Sequence, residues 1–547
     1  MIQLPLVFSD HMMLQREKPV CVFGTASAGK KIQVCVQNAE GTVLAGAEGV
    51  SGRDGRFEVS LPPLEPGLDR TLKIGDGEET VCISDVAVGE VWLAGGQSNM
   101  EFLMNTDAEM PAEREALSLL SEETRRALRF FDYPEIAFEG MEKLVDLSNF
   151  GKWRCLSEED LVYFSAVSYY FQRIVAGKIG CPVGVIGCNW GGTKACCWVP
   201  EDVILEAGAE QWITEYEEGL KTIKDLTKQQ EAFKKSPMNV LSDPAKPNPF
   251  DAILLPGLTH RQQEEAVKMF SANPDDVQAI GPLHPWRPAG LYHTMLEKLM
   301  PYTLRGFIWY QACSDETHPE LLAKLMQALI GKWRRDFKDE SLPFLMVQIA
   351  PYGIWLGNRS ERYPDVRAAQ LHAADITENT YLASIGDAGM YFDIHPKHKR
   401  KPGERLGLLA LKHVYGLPVS ADAPRAKGLD YDGDTAVIRF EHGEGLHLTE
   451  AENGGLTEEE ARRYHFSEPD QPAHMAPLEN LNSLIRTVPE GETEAEIRDD
   501  SLRVRLTVGG KSVRPREIRF AWTGYYEVNV KNAAGLPVFP FVVSDEA

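Results

Sequence analysis

A chain of 547 residues with a hydrophobic fraction of 43% can fill sizeable cores, and its length implies about three or four domains. Its formal charge of −24 excludes a nucleic-acid backbone as partner, which calls for a basic face, and argues against an anionic membrane surface. A neutral sugar ligand is compatible with it, and homo-oligomerisation is left open.

The amino terminus, Met1-Ile-Gln-Leu-Pro-Leu-Val-Phe, has neither a basic region nor a long apolar core, so no signal peptide is expected and the protein reads as cytoplasmic. No apolar run is long enough to span a bilayer. Residues 1–88 read as a small β-sandwich: Pro19–Gly24, Lys31–Val36, Arg56–Leu61 and Thr71–Ile74 alternate apolar and polar residues between Gly- and Pro-containing turns. From residue 89 buried strands alternate with amphipathic helices. Strands are predicted over Val88–Leu93, Pro182–Gly187, Gly306–Tyr310, Pro343–Ile349 and Thr380–Ile385, and helices over Ser165–Lys178 and Leu321–Phe337. That alternation implies a mainly parallel sheet covered on both faces. Residues 201–290 read as an insertion beside the active site. After a helical pattern over Gly403–Tyr415, residues 416–547 return to strand patterns and form a β-rich terminal domain.

The nine cysteines are an odd number without framework spacing, as expected of reduced thiols, and adjacent Cys196-Cys197 reads as core packing.

Four segments at predicted strand ends carry chemistry. Gly95-Gly96-Gln97-Ser98 follows the strand Val88–Leu93 through a glycine turn, which exposes the Ser98 hydroxyl at the carboxyl edge of the sheet. Cys188-Asn189-Trp190-Gly191-Gly192-Thr193 offers glycine amides that a ligand can approach closely. Gln311, after Gly306–Tyr310, can donate a side-chain amide to a developing oxyanion. Asp393 precedes His395 by two residues, and in an extended segment the two side chains share a face. A competing reading has Asp393, His395 and His398 bind a metal. Together a nucleophile, an amide, a donor and a base with its orienter meet the requirements of acyl transfer through an activated serine, with no metal or organic cofactor.

Gly96-Gln97-Ser98-Asn99-Met100, Trp190-Gly191-Gly192-Thr193, Arg305–Gln311 and Asp393-Ile394-His395-Pro396 resemble the sialate O-acetylesterase family of SGNH hydrolases. The opening Leu4–Gln15 and the closing Gly535–Phe541 extend the resemblance over nearly the whole chain. It implies an SGNH-type (flavodoxin-like) three-layer α/β/α hydrolase domain over residues 89–415, flanked by β-sandwich domains at 1–88 and 416–547. It also implies Ser98 as nucleophile, His395 as general base and acid, and Asp393 as orienter. The oxyanion hole would combine the Ser98 amide, the amide of Gly192 or Gly191, and the Gln311 side chain. The implied reaction removes O-acetyl groups, of the 9-O-acetyl type, from sialic acid. Acetylated xylan or xyloglucan fragments are an alternative substrate, and a catalytically silent sugar-binding protein is an alternative of another class. Two departures bear on substrate choice. Gln311 is followed by Ala312-Cys313-Ser314 where the family has Gly-Glu-Ser, and Leu291-Tyr292-His293-Thr294-Met295 replaces Leu-Tyr-Asn-Ala-Met, with both segments expected to face the pocket.

Overall fold

One strand, Thr80–Gly96, organises the chain, and its two halves differ as their surroundings differ. In the computed structural model, which describes residues 1–235, 244–245, 280–355, 358–359, 361–450 and 480–545, this strand is half-solvated at first and then buried without interruption from Val86 to Gly96. The early half pairs antiparallel with Gly67–Gly75, and Met13–Gln15 joins it in parallel at Ala87–Gly89. The late half is the centre of a parallel sheet. Residue 88, where the sequence pattern changes, therefore lies inside a continuous strand.

The central sheet runs Thr380–Ala383, Phe344–Val347, Gly306–Tyr310, Thr80–Gly96, Val183–Asn189, Leu128–Asp132 and Trp153–Cys155. Every pair is parallel except the last. Alternate residues of each strand face opposite sides, so Trp92, Ala94, Ile308, Tyr310, Leu345 and Val347 enter one buried cluster. Val91, Leu93, Phe307, Trp309, Phe344 and Met346 enter another. Helices Ala166–Ile179 and Arg400–Leu409 cover the first face, and Pro319–Asp336 and Tyr363–Ile376 cover the second. This is a mixed α/β body with a large central sheet whose inner strands are mostly apolar because neither face meets water.

The N-terminal strands lean on that body. Lys31–Gln37 lies between Val43–Val50 and Gly67–Gly75, and the pair Val20–Thr25 and Arg56–Leu61 packs against them. Val34, Val59 and Ile74 belong to the same continuous cluster as Val91 and Leu93. The C-terminal strands enclose their own cluster, with Ile438, Leu502, Val504, Ile518, Phe520 and Phe541 at its centre. They dock on the central body through polar anchors. Asp387, fully buried, accepts both Arg405 guanidinium nitrogens at 2.5 and 2.7 Å and lies 2.9 Å from the Lys531 ammonium. Arg367 donates to the Thr523 and Gly524 carbonyls at 2.7 and 2.8 Å.

The charged stretch expected as an insertion forms helices Glu201–Glu206, Gln211–Thr222 and Leu226–Lys234, and most of the rest of it lies outside the described residues. Among the described residues no helix is long and apolar enough to cross a membrane. All nine cysteines are unpaired, and five of them are buried.

Candidate active site

Gly96 ends the central strand with φ +127, and a Cβ there would lie 2.3 Å from the Tyr310 carbonyl oxygen. Only glycine permits that close approach, and it turns the chain sharply enough to lift Ser98 out of the sheet. Ser98 opens a single helical turn, Ser98–Glu101. Gln97 fastens this turn to the neighbouring strand end: its Oε1 accepts from the Ala312 and Ser314 amides at 3.2 and 3.4 Å.

The structure brings Ser98, His395 and Asp393 together. His395 Nε2 lies 2.9 Å from Ser98 Oγ. Asp393 Oδ1 accepts the His395 backbone N–H at 2.7 Å and stands 3.3 Å from His395 Nδ1. Nδ1 is buried and, among the described residues, not aligned for a hydrogen bond with an acceptor, so the carboxylate reaches the ring as a charge rather than as a well-directed partner. Such contacts commonly tighten only when substrate binds. Residues 391–395 are a turn rather than an extended segment, with Asp393 closing it onto the backbone two residues on, as aspartates in turns do. The i, i+2 geometry expected of a strand is thus replaced by a turn that achieves the same pairing.

Burial would raise the Asp393 pKa, but the Lys397 ammonium 2.9 Å from Oδ2, together with His395, holds it well below the usual carboxylate range. This environment favours the anionic form of Asp393. Burial pushes the His395 pKa down, the Asp393 charge pulls it up, and Lys397 and Lys399 push it down further, leaving it below its ordinary value. Trp355 closes one side of the imidazole, ring centroids 5.0 Å apart and nearly perpendicular.

The glycine turn after Val183–Asn189 lies beside Ser98, since a Cβ on Gly191 would come 3.2 Å from Ser98 Cβ. Among the described residues the Ser98 and Gly192 backbone N–H groups donate to nothing. Gly191 is occupied: its N–H donates to Glu101 Oε2 at 2.6 Å, which favours Gly192 of the two alternatives. Gly192 has φ +72, and a Cβ there would strike the Trp286 indole at 2.5 Å. Trp286 in turn donates its indole N–H to the Gly191 carbonyl at 3.3 Å and keeps 37% of its surface exposed at the rim of the site.

Gln311 is placed differently from expectation. Its amide nitrogen donates to the Thr193 carbonyl at 2.7 Å and to Asp315 Oδ2 at 2.9 Å, which uses both of its hydrogens. The side chain braces the Gly191–Thr193 turn against its own loop and is not offered to an oxyanion in this structure. Gln311→Ala should therefore lower Tm as well as activity. A loss of about 1–3 kcal/mol is expected for the two buried acceptors left unsatisfied, read by thermal or urea unfolding. Asn189 was not singled out in the sequence. It pairs in register with Gly96, and its side-chain amide has no protein partner among the described residues, which leaves a donor at the adjacent strand end.

Ala312, where the family has glycine, sits at φ +103, so the departure is carried as backbone strain in the loop after Gly306–Tyr310. Cys313 is buried, and its thiol is pushed up to about 11, far from a nucleophilic thiolate. Tyr292 and His293 do not face the serine. They line a surface cleft of about 1230 Å³ with Tyr133 and Arg287, and none of Ser98, Asp393 and His395 lines it. His398 lies 3.5 Å from Glu109, and among the described residues only His11, Asp85 and Cys155 could converge on one metal ion. Asp85 is already paired with Arg126 and Arg129, whose positive charges oppose a cation there.

A half-buried serine in contact with a buried histidine and carboxylate is an arrangement that can carry out ester hydrolysis, and the names of the relatives agree with it. The chain is a carboxylic ester hydrolase. Its resemblance to the sialate O-acetylesterase family is carried by residues 279–407, which match the family model described as "Carbohydrate esterase, sialic acid-specific acetylesterase". The sialate O-acetylesterase of Rattus norvegicus is 25% identical over 439 residues, covering 74% of this chain and 72% of that protein. The Homo sapiens sialate O-acetylesterase is 23% identical over 437 residues, covering 75% and 70%. The fold is also that of a carbohydrate acetylesterase from Xanthomonas citri whose structure has been solved. The two chains superpose with a TM-score of 0.70 at 24% identity, each covered over 100% of its length. These matches set aside a catalytically silent sugar-binding protein.

Proposed function

We propose that the chain removes the 9-O-acetyl group of sialic acid through an acetyl-enzyme on Ser98, within an SGNH-type catalytic domain flanked by β-sandwich domains. The observation that carries the chemistry is the 2.9 Å contact between His395 Nε2 and Ser98 Oγ, with anionic Asp393 behind the ring. Neutral His395 takes the serine proton as Oγ attacks the acetyl carbonyl. The Ser98 and Gly192 amides receive the developing oxyanion. The imidazolium, stabilised by Asp393, returns its proton to the departing sugar oxygen. Water, deprotonated by the same imidazole, then releases acetate.

The substrate rests on the names of the relatives. A second reading, an acetylated neutral oligosaccharide of the xylan or xyloglucan kind, is favoured by the cations beside the site. Lys397 and Lys399 are buried and engaged by Asp393 and Asn99, so neither is offered to a sialate carboxylate. Acetate release from a panel of acetylated sialic acids and acetylated plant oligosaccharides separates the readings. Preference for 9-O-acetyl sialic acid supports the first, and turnover confined to neutral oligosaccharides replaces it with the second.

The pH profile follows from His395. The deprotonated imidazole is the active form, so activity rises with pH. Because burial lowers the histidine pKa, the midpoint of that rise should lie below the ordinary value of about 6.5. Activity should be insensitive to EDTA. A chelator-abolished activity restored by zinc would return the chemistry to a metal.

A further inference from the structure

Lys399 is a buried cation with no part in the reaction as written above. Its side chain is fully buried, and its ammonium lies 4.3 Å above the Phe102 ring. It donates to Asn99 Oδ1 at 2.5 Å. Among the described residues it has no carboxylate within ion-pair distance. Burying a charge on a neutral amide is costly, and an apolar side chain of similar length would fill the same space without that cost. The cation is therefore not explained by stability.

Its connections suggest what it does. Asn99 directly follows Ser98, and Asn99 Nδ2 donates to the carbonyl of Ile394 at 3.1 Å, the residue directly before His395. One side-chain amide thus spans the nucleophile turn and the base loop, and Lys399 fixes which way that amide points. Lys399 is itself anchored, since its backbone N–H donates to Asp107 Oδ2 at 2.8 Å and the nearby Ala108 N–H donates to the Lys397 carbonyl at 2.8 Å. We propose that Lys399 is a positioning residue which, through Asn99, holds the turn carrying Ser98 in register with the loop carrying His395. This rests on the reading of Ser98 and His395 as nucleophile and base.

The charged groups around the ammonium come from three elements. Lys397 and Asp393 share its loop, Asp107 faces it from the segment after the Ser98 turn, and Cys313 faces it from the loop after Gly306–Tyr310. Burial, and next the Lys397 charge, push the Lys399 pKa down to about 7, with Asp107 and Asp393 opposing. While protonated, Lys399 disfavours the imidazolium of His395, so its removal should raise the His395 pKa.

The test uses the full chain with 4-nitrophenyl acetate, comparing Lys399→Met, Asn99→Ala and the double variant. Each single variant should lose about 10- to 100-fold in kcat, the scale of a small misplacement of reacting groups, with KM within about twofold. Because both act along one connection, the double variant should be no worse than the weaker single. The acid midpoint of the pH profile should rise in Lys399→Met and stay in place in Asn99→Ala, a difference that a merely structural role would not produce. Multiplying losses, an unmoved midpoint in Lys399→Met, or wild-type kcat in either single variant would overturn the proposal. If Lys399→Met does not fold, Asn99→Ala decides by its kcat alone. Absence of esterase activity in the wild-type chain would instead defeat the proposed function.

Discussion

Ser98→Ala should abolish ester hydrolysis while leaving the fold intact. The hydroxyl stands 2.9 Å from His395 Nε2, placed to attack an acyl carbon with a base at hand. Losses for single members of such a group reach about 10⁶ in kcat, because the remaining residues cannot act without the nucleophile. Stability should barely change. The substitution removes one hydrogen bond at a half-buried position, worth about 1 kcal/mol, while the turn itself is held by Gly96 and by the Gln97 contacts to Ala312 and Ser314. Steady-state kinetics and a melting curve on the same preparation check both halves. A variant that keeps a tenth of wild-type turnover would remove Ser98 from the mechanism.

Asp393→Asn should lower kcat by about 10⁴ with a much smaller change in KM. The carboxylate does three things at once: it accepts the His395 backbone N–H, it faces Nδ1, and it neutralises Lys397. Asparagine can keep the first through its carbonyl oxygen and so preserve the turn. It cannot stabilise an imidazolium, and with its carbonyl oxygen kept in the Oδ1 place, beside Nδ1, its NH₂ group would meet the Lys397 ammonium at the Oδ2 place. The imidazolium forms only during reaction, which is why the loss should fall on kcat. Lys397 would also be left buried without its counter-ion, so a lower Tm should accompany the kinetic defect. An unaffected kcat would place the orienting carboxylate elsewhere.

The parts legible in the sequence were those set by local pattern. The strands Val183–Asn189 and Gly306–Tyr310 and the helix Ala166–Ile179 appear within about two residues of their predicted bounds, because continuous burial writes apolar runs and Ser165 accepts from the Ser168 N–H as an N-cap. The strand Val43–Val50 was missed. Five of its eight residues are exposed and only one is buried, so no clean alternation marks it. The convergence of Ser98, Asp393 and His395 was inferred from strand ends, but the turn at Asp393 was not, since Asp-x-His reads equally well as strand or turn.

Gln311 shows the limit most clearly. Sequence position put a donor at the right sheet edge, yet only the fold reveals that Asp315 and the Thr193 carbonyl already take both of its hydrogens. Lys397 and Lys399 were invisible for a related reason. Lysines after a histidine look like a solvated loop, and nothing in the chain itself announces that their ammonium groups turn inward onto Asp393 and Asn99. The unusual spacing Asp-x-His-x-Lys-x-Lys was the one available signal.

In the proposed mechanism the acetyl group passes through Ser98. Mixing the wild-type chain with excess 4-nitrophenyl acetate, quenching in acid during the initial burst and mapping the acetylated peptide by mass spectrometry tests it directly. The expected result is a stoichiometric acetyl adduct on Ser98 that is absent from Ser98→Ala and decays as acetate is released. An adduct on Cys313, or full turnover with no acetyl-enzyme on Ser98 at any quench time, would contradict it.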